Sequence, residues 1–126
     1  MDSKRLAQLC RELADNRKAE DILVLDVRTL SSVTDFFVIA SGTNERQVQA
    51  ISDEIYETLK KAGSTTARVE GYKTAEWILL DYGDFVVHVF EQKARSFYDL
   101  ERLWRESRRV DLPAGLFDSS SLRRES

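Results

Sequence analysis

His88 is the only histidine of the chain and Cys10 its only cysteine, so histidine- or thiol-based chemistry rests on one residue each. His88 stands inside TAEWILLDYGDFVVHVF, residues 74 to 90, with no serine, cysteine or acid that spacing ties to it. A catalytic histidine needs an oriented partner within hydrogen-bond reach. Cys10 falls on the apolar stripe of an N-terminal helix, the setting of a small buried hydrophobe rather than a nucleophile. Asp81 and Asp84 would be candidates for a metal pair or for acid–base work. Acids commonly flank a glycine turn because they bond the local backbone, however, and no third ligand is placed beside these two. Ser41-Gly42-Thr43-Asn44 precedes a helix, where free amides and the helix dipole could hold an anion. It lacks the glycines and the lysine of a phosphate loop, and Glu45 adds a repelling charge, so a turn with a helix cap is the simpler reading. No catalytic set, metal site or cofactor is expected.

Composition narrows the classes further. The 126 residues suffice for one domain with its own core. With 19 basic and 22 acidic residues the net charge is −3, which lacks the positive field of a sequence-independent nucleic-acid binder. A lone cysteine can make no internal disulfide, which suits an intracellular chain. The N-terminus carries charges throughout, and no apolar run approaches the roughly 20 residues of a membrane span, so a cytoplasmic location is expected and no membrane contact.

The elements that must position these residues follow from periodicity. Ser3 can cap a helix bearing Leu6, Leu9, Cys10 and Leu13, which ends at Asp15-Asn16. DILVLDVRTL and TDFFVIASG read as strands, the second apolar from Phe36 to Ala40 like an interior strand covered on both faces. The period then changes to 3.6, with Val48, Ile51, Ile55 and Leu59 as the stripe. Asn44 and Gln47 resemble a capping box, and Gly63 sits at the C-terminus. TTARVEGY supplies a short strand and residues 75–81 and 84–90 a hairpin. A last helix is expected from Ser96, with Asp99 as a capping partner and Phe97, Leu100, Leu103 and Trp104 as its apolar face. This order implies an α/β or α+β layer architecture, a mixed sheet of about five strands flanked by helices. Residues 111–126, with Pro113, Gly115 and three successive serines, read as a flexible tail behind a domain of residues 1–110.

In the hairpin, a two-residue turn at Tyr82-Gly83 would set Leu80 opposite Phe85, Leu79 opposite Val86, Ile78 opposite Val87 and Trp77 opposite His88. Ile78, Leu80, Phe85, Val87 and Val89 then form a core face. The other face carries Trp77, Leu79, Asp81, Asp84, Val86, His88 and Phe90. It has two readings. Either another layer of the same domain covers it, making Trp77 and Phe90 core residues and His88 a satisfied polar group, or it is a protein-binding patch with aromatic anchors in the middle and acids at the rim.

The stretches TDFFVI followed by SGTN, the Trp77-to-Phe90 hairpin with its DYGD turn, and FYDLERLW resemble the ribosomal silencing factor, or Iojap, family over residues 4 to 110. The tail after Asp111 departs from the family pattern. The resemblance implies a translation repressor without catalytic activity. It would bind the large ribosomal subunit through that subunit's fourteenth protein, at the subunit interface, and keep the small subunit from joining; a role in large-subunit biogenesis is also implied. It assigns Trp77, Leu79, Val86 and His88 as partner contacts, with Asp81, Asp84 and Glu70 meeting basic side chains and Tyr98 extending the patch. It also implies a weak homodimer and a nucleotidyltransferase-like fold. Arg102, Arg105, Arg108 and Arg109, expected at the end of the last helix, would lie where adjacent ribosomal RNA could be touched. The rival expectation from that fold is an enzyme holding nucleotide and metal at Ser41–Asn44, but the order here is Ser-Gly rather than Gly-Ser and no Asp-x-Asp follows.

Overall fold

In the computed structural model the described residues are 2–29, 31–63 and 67–98, without the side chains of 96–98, together with the backbone of Arg108–Arg109. The first helix, α1, spans Ser3–Asn16 and buries Ala7, Cys10, Leu13 and Ala14. Its cap is Asp2 rather than the expected Ser3: Asp2 is extended, and its carboxylate accepts from the Arg5 amide at 2.8 Å. Two antiparallel strands follow, β1 (Glu20–Asp26) and β2 (Phe36–Gly42). Then come α2 (Glu45–Lys61), β3 (Arg68–Glu70), β4 (Trp77–Asp81), β5 (Phe85–Glu91), α3 (Gln92–Tyr98) and the two-residue β6 (Arg108–Arg109).

The strands form one mixed sheet in the order β3-β4-β5-β2-β1-β6. β2 is interior, as its unbroken apolar run implies, and it pairs with β5 in parallel; the other pairings are antiparallel. Parallel neighbours need a crossover connection, and α2 with the β3–β4 hairpin provides it. α1 and α2 pack Cys10, Leu13, Val48, Ile51, Ile55 and Leu59 against Val38, Ala40, Ile78, Leu80, Val87 and Val89, all buried on one face of the sheet. Burial also pushes the Cys10 thiol pKa well up, which removes its nucleophilic form.

Three expectations are corrected. β6 adds a sixth strand, so Arg108 and Arg109 are extended residues beside Asp26 and Leu25, not the end of a helix. The last helix begins at Gln92, directly after β5, so Ser96 lies inside it rather than at its cap. Asp99, Leu100, Arg102, Leu103, Trp104, Arg105 and the tail 111–126 lie outside the described residues. The capping box is shifted by one residue: Asn44 accepts from the Gln47 amide at 2.9 Å, but the Gln47 side chain turns back to Thr43, whose amide donates to Gln47 Oε1 at 2.7 Å.

The segment entering β4 depends on Gly71. Its φ is +80°, and a Cβ there would meet the Trp77 carbonyl oxygen at 2.2 Å. Gly83 also has positive φ, +88°, but open space around it. Gly71→Ala is therefore expected to lose at least about 3 kcal/mol of unfolding free energy, strain and clash together, and Gly83→Ala only about 1 kcal/mol of strain. Urea denaturation of the two variants beside the wild type checks the contrast.

Candidate functional site

The hairpin turn sits one residue later than expected. Tyr82 N donates to Phe85 O at 3.0 Å, so Gly83-Asp84 is the two-residue loop. Glycine opens it with positive φ, and the Gly83 amide donates to Asp81 Oδ1 at 2.9 Å. The register accordingly becomes Trp77 opposite Phe90, Leu79 opposite His88 and Asp81 opposite Val86. Each partner has slipped by two residues, and because side chains alternate with period two, both faces keep their expected members. Asp84 alone leaves the face, for it stands exposed in the turn.

Sheet pairing extends this second face sideways. One row runs Glu70, Leu79, His88 and Ile39; the next runs Arg68, Asp81, Val86, Phe37 and Leu25. Leu23, Leu25, Val27, Ile39 and Phe90 are buried here, with Phe37, Trp77 and Ala94 of α3 packed against them. Among the described residues α3 is the one helix on this side, at the Phe90 end. Neither reading of the face holds whole: His88, Val86 and Phe90 are buried, whereas Trp77, Leu79, Asp81 and Phe37 are half-buried and Glu70 is exposed. The backbone of Tyr98 closes α3, and its side chain lies outside the described residues.

Between these margins lies an open groove of about 330 Å³ lined by Ser31, Val33, Thr34, Phe37, Leu79, Asp81, Gly83, Val86 and His88. One wall comes from the loop between β1 and β2, and it is tied to the hairpin because the Asp35 amide donates to the Asp84 carbonyl at 2.8 Å. A smaller hollow of about 210 Å³, bounded by Glu70, Gly71, Trp77 and Leu79, adjoins the groove across Leu79.

His88 organises the floor. Its Nδ1 accepts from Trp77 Nε1 at 3.1 Å. The Phe37 ring stands edge-on to the imidazole at 4.6 Å, and Trp77 stacks on Phe90 at 5.0 Å. Burial holds the His88 pKa down to about 4, with the Asp81 carboxylate pulling weakly the other way. The ring is therefore neutral at pH 7. An indole N–H can only donate, so Nδ1 carries the lone pair and the single proton sits on Nε2. This makes His88 a fixed strut and donor rather than a proton carrier.

The other candidate site is occupied by the protein itself. Ser41 and Gly42 are buried in β2, the Ser41 hydroxyl accepts from Arg95 at 2.7 Å, and the Thr43 and Gln47 amides are taken by side-chain oxygens within the cap. Two of the amides that would cradle a phosphate, those of Thr43 and Gln47, are thus already engaged. Among the described residues no three His, Cys, Asp or Glu side chains gather where they could hold a metal ion, and no helix is long and apolar enough to cross a membrane.

The family model described as "Ribosomal silencing factor during starvation" matches residues 1–126. The chain belongs to the ribosomal silencing factor family. The ribosomal silencing factor of Halalkalibacterium halodurans is 41% identical over 112 residues, which cover 89% of this chain and 96% of that one. A crystal structure of a Chromobacterium violaceum protein superposes with a TM-score of 0.80 at 34% identity, covering 92% of this chain and 96% of that one. A mouse protein named for mitochondrial assembly of the ribosomal large subunit is 33% identical over 106 residues, 82% of this chain and 45% of its own length.

Sequence reasoning missed Ser31, Val33, Thr34 and Phe37 as members of the groove. Phe37 reaches it through the long-range parallel pairing of β2 with β5, and only the double-sided apolar character of TDFFVIASG hinted at a residue facing this way.

A histidine neutral when folded and ordinary when unfolded costs stability when it must be protonated. Between its unfolded value of 6.5 and its folded value of about 4, the unfolded state binds the extra proton, so stability rises with pH across this window and is lost as pH falls through it. The loss is expected to be on the order of 3 kcal/mol and absent from His88→Asn. Denaturant melts of both proteins at pH 7, 5.5 and 4.5 check it.

Proposed function

We propose that this ribosomal silencing factor acts in the cytoplasm by docking the half-exposed sheet face onto the large ribosomal subunit. The contact is with the subunit's fourteenth protein, at the surface where the small subunit would join. Silencing is steric: a bound protein occupies the joining surface, and no bond is made or broken. The observation that carries this reading is the groove itself, which joins aromatic and apolar walls from Phe37, Leu79, Val86 and Trp77 to a rim of Asp81, Glu70 and Arg68, acidic on balance even with Arg68 and Glu70 paired at 3.7 Å. Apolar anchors within a polar rim are the anatomy of a protein interface, and the rim's sign suits a partner that itself sits on RNA. The mouse relative's name, tied to the large subunit, supports the choice of subunit. In the absence of ribosomes the same surface would pair two copies weakly, and the domain of residues 1–110 would suffice for all of this.

Sedimentation of the purified protein with separated subunits through a sucrose gradient tests the reading. The wild type is expected to travel with large subunits and not with small ones. A folded Trp77→Ala variant should lose at least about tenfold in affinity, and Glu70→Lys should bind more weakly and with a shallower salt dependence. Failure of the wild type to travel with large subunits would refute the proposal.

A further inference from the structure

Two side chains that line the groove end in polar atoms that are buried and unused. His88 is 5% exposed and Thr34 6%, and both line the groove, yet His88 Nε2 and Thr34 Oγ1 make no hydrogen bond. Buried polar groups are rarely left so, because each forfeits its water without a replacement. Neither atom serves the fold. The His88 strut works through Nδ1, and Thr34 is tied to its loop by its backbone amide, which donates to Ser31 Oγ at 3.4 Å.

Resting on the docking role proposed above, we infer that a protein partner inserts an uncharged hydrogen-bond acceptor on an apolar stem into this groove, where His88 Nε2–H donates to it and the Thr34 hydroxyl completes its bonding. The chemistry of the walls selects that group. Nε2 carries the proton, so the visitor must accept there, which a lysine or arginine head cannot do. A carboxylate or phosphate is turned away by Asp81 on the same lining. Phe37, Leu79 and Val86 leave an apolar sleeve for the stem. A backbone carbonyl at the tip of a loop, or a serine, threonine, asparagine or glutamine side chain, meets all three conditions, whereas an RNA backbone presents the charge that the acidic rim repels. Basic side chains flanking that group would meet Asp81 and Glu70 outside the groove. The groove thus supplies specificity, since a partner lacking the acceptor would leave both buried groups unpaired.

Thr34→Val and His88→Asn separate this role from folding. Valine keeps the threonine shape, and because Oγ1 bonds nothing in the free protein, Thr34→Val should leave stability unchanged or raise it. The asparagine oxygen can still accept from Trp77 Nε1, but the shorter side chain no longer reaches the Nε2 position. Binding of purified large subunits, and separately of their RNA stripped of protein, is measured for both variants, with Trp77→Ala as a marker of the face. Each variant should bind large subunits about tenfold more weakly and the stripped RNA no differently from the wild type. Wild-type-like binding by both variants, with Trp77→Ala still impaired, would overturn the inserted acceptor and leave the docking face standing. Loss confined to stripped RNA would overturn the protein partner. A wild type that binds no large subunits would overturn the docking role together with this inference.

Discussion

β2 and β5 run parallel at the centre of the sheet, and the rest of the molecule is arranged around that pairing. Strands joined in this sense cannot turn back on each other, so the chain must leave the sheet after Gly42, cross one face as α2, and return through β3 and β4 before β5 can take its place. The crossover, with α1 beside it, fills one side of the sheet. Both central strands are apolar on both sides, yet the second side receives only α3 among the described residues. A sheet built this way has a finished face and an unfinished one.

The unfinished face is kept from collapsing by hydrogen bonding and ring packing rather than by a second layer. Trp77 donates to His88, stacks on Phe90, and leaves its margin half-buried next to Leu79. The donor–acceptor sense of that one bond decides much: it requires an unprotonated Nδ1, which fits the ring that burial keeps neutral, and it sends the ring's only proton to Nε2. Interior charge is handled in a similar way at the far end of the sheet. There buried Arg95 donates from one nitrogen to the Asp21 carbonyl and the Ser41 hydroxyl, both at 2.7 Å, across the bulge where Asp21 adopts φ +50°. That bulge breaks the strict alternation of β1, and nothing in DILVLDVRTL announces it.

Much of the fold could be read from the sequence where signals are local. The stripe of α2, its Asn44 cap and the interior character of β2 depend on near neighbours, and they appear where spacing puts them. The hairpin shows the limit. Gly83 marks a turn under either register, and what selects Gly83-Asp84 over Tyr82-Gly83 is glycine's positive φ at the first loop position together with the Tyr82 ring stacked on Phe85 at 4.8 Å. The slip of two left the face intact, so Trp77, Leu79, Asp81, Val86 and His88 meet as expected while Asp84 does not. Thr34, Val33 and Phe37 were illegible because they arrive from another strand pair, through contacts that no periodicity encodes. The pairing of β6 with β1 was hidden for the same reason, and helical spacing of arginines gave a misleading sign there.

The central claim is that the unfinished face, not the helical one, meets the ribosome. Val33, 83% exposed at the lip of the groove, and Glu57, exposed on α2 across the sheet, are suited to carry a photo-crosslinking side chain without disturbing the fold. Each labelled protein would be irradiated with purified large subunits and the adducts identified by mass spectrometry. The account requires a single ribosomal protein joined through position 33 and none through position 57. Adducts formed through position 57 alone would contradict it.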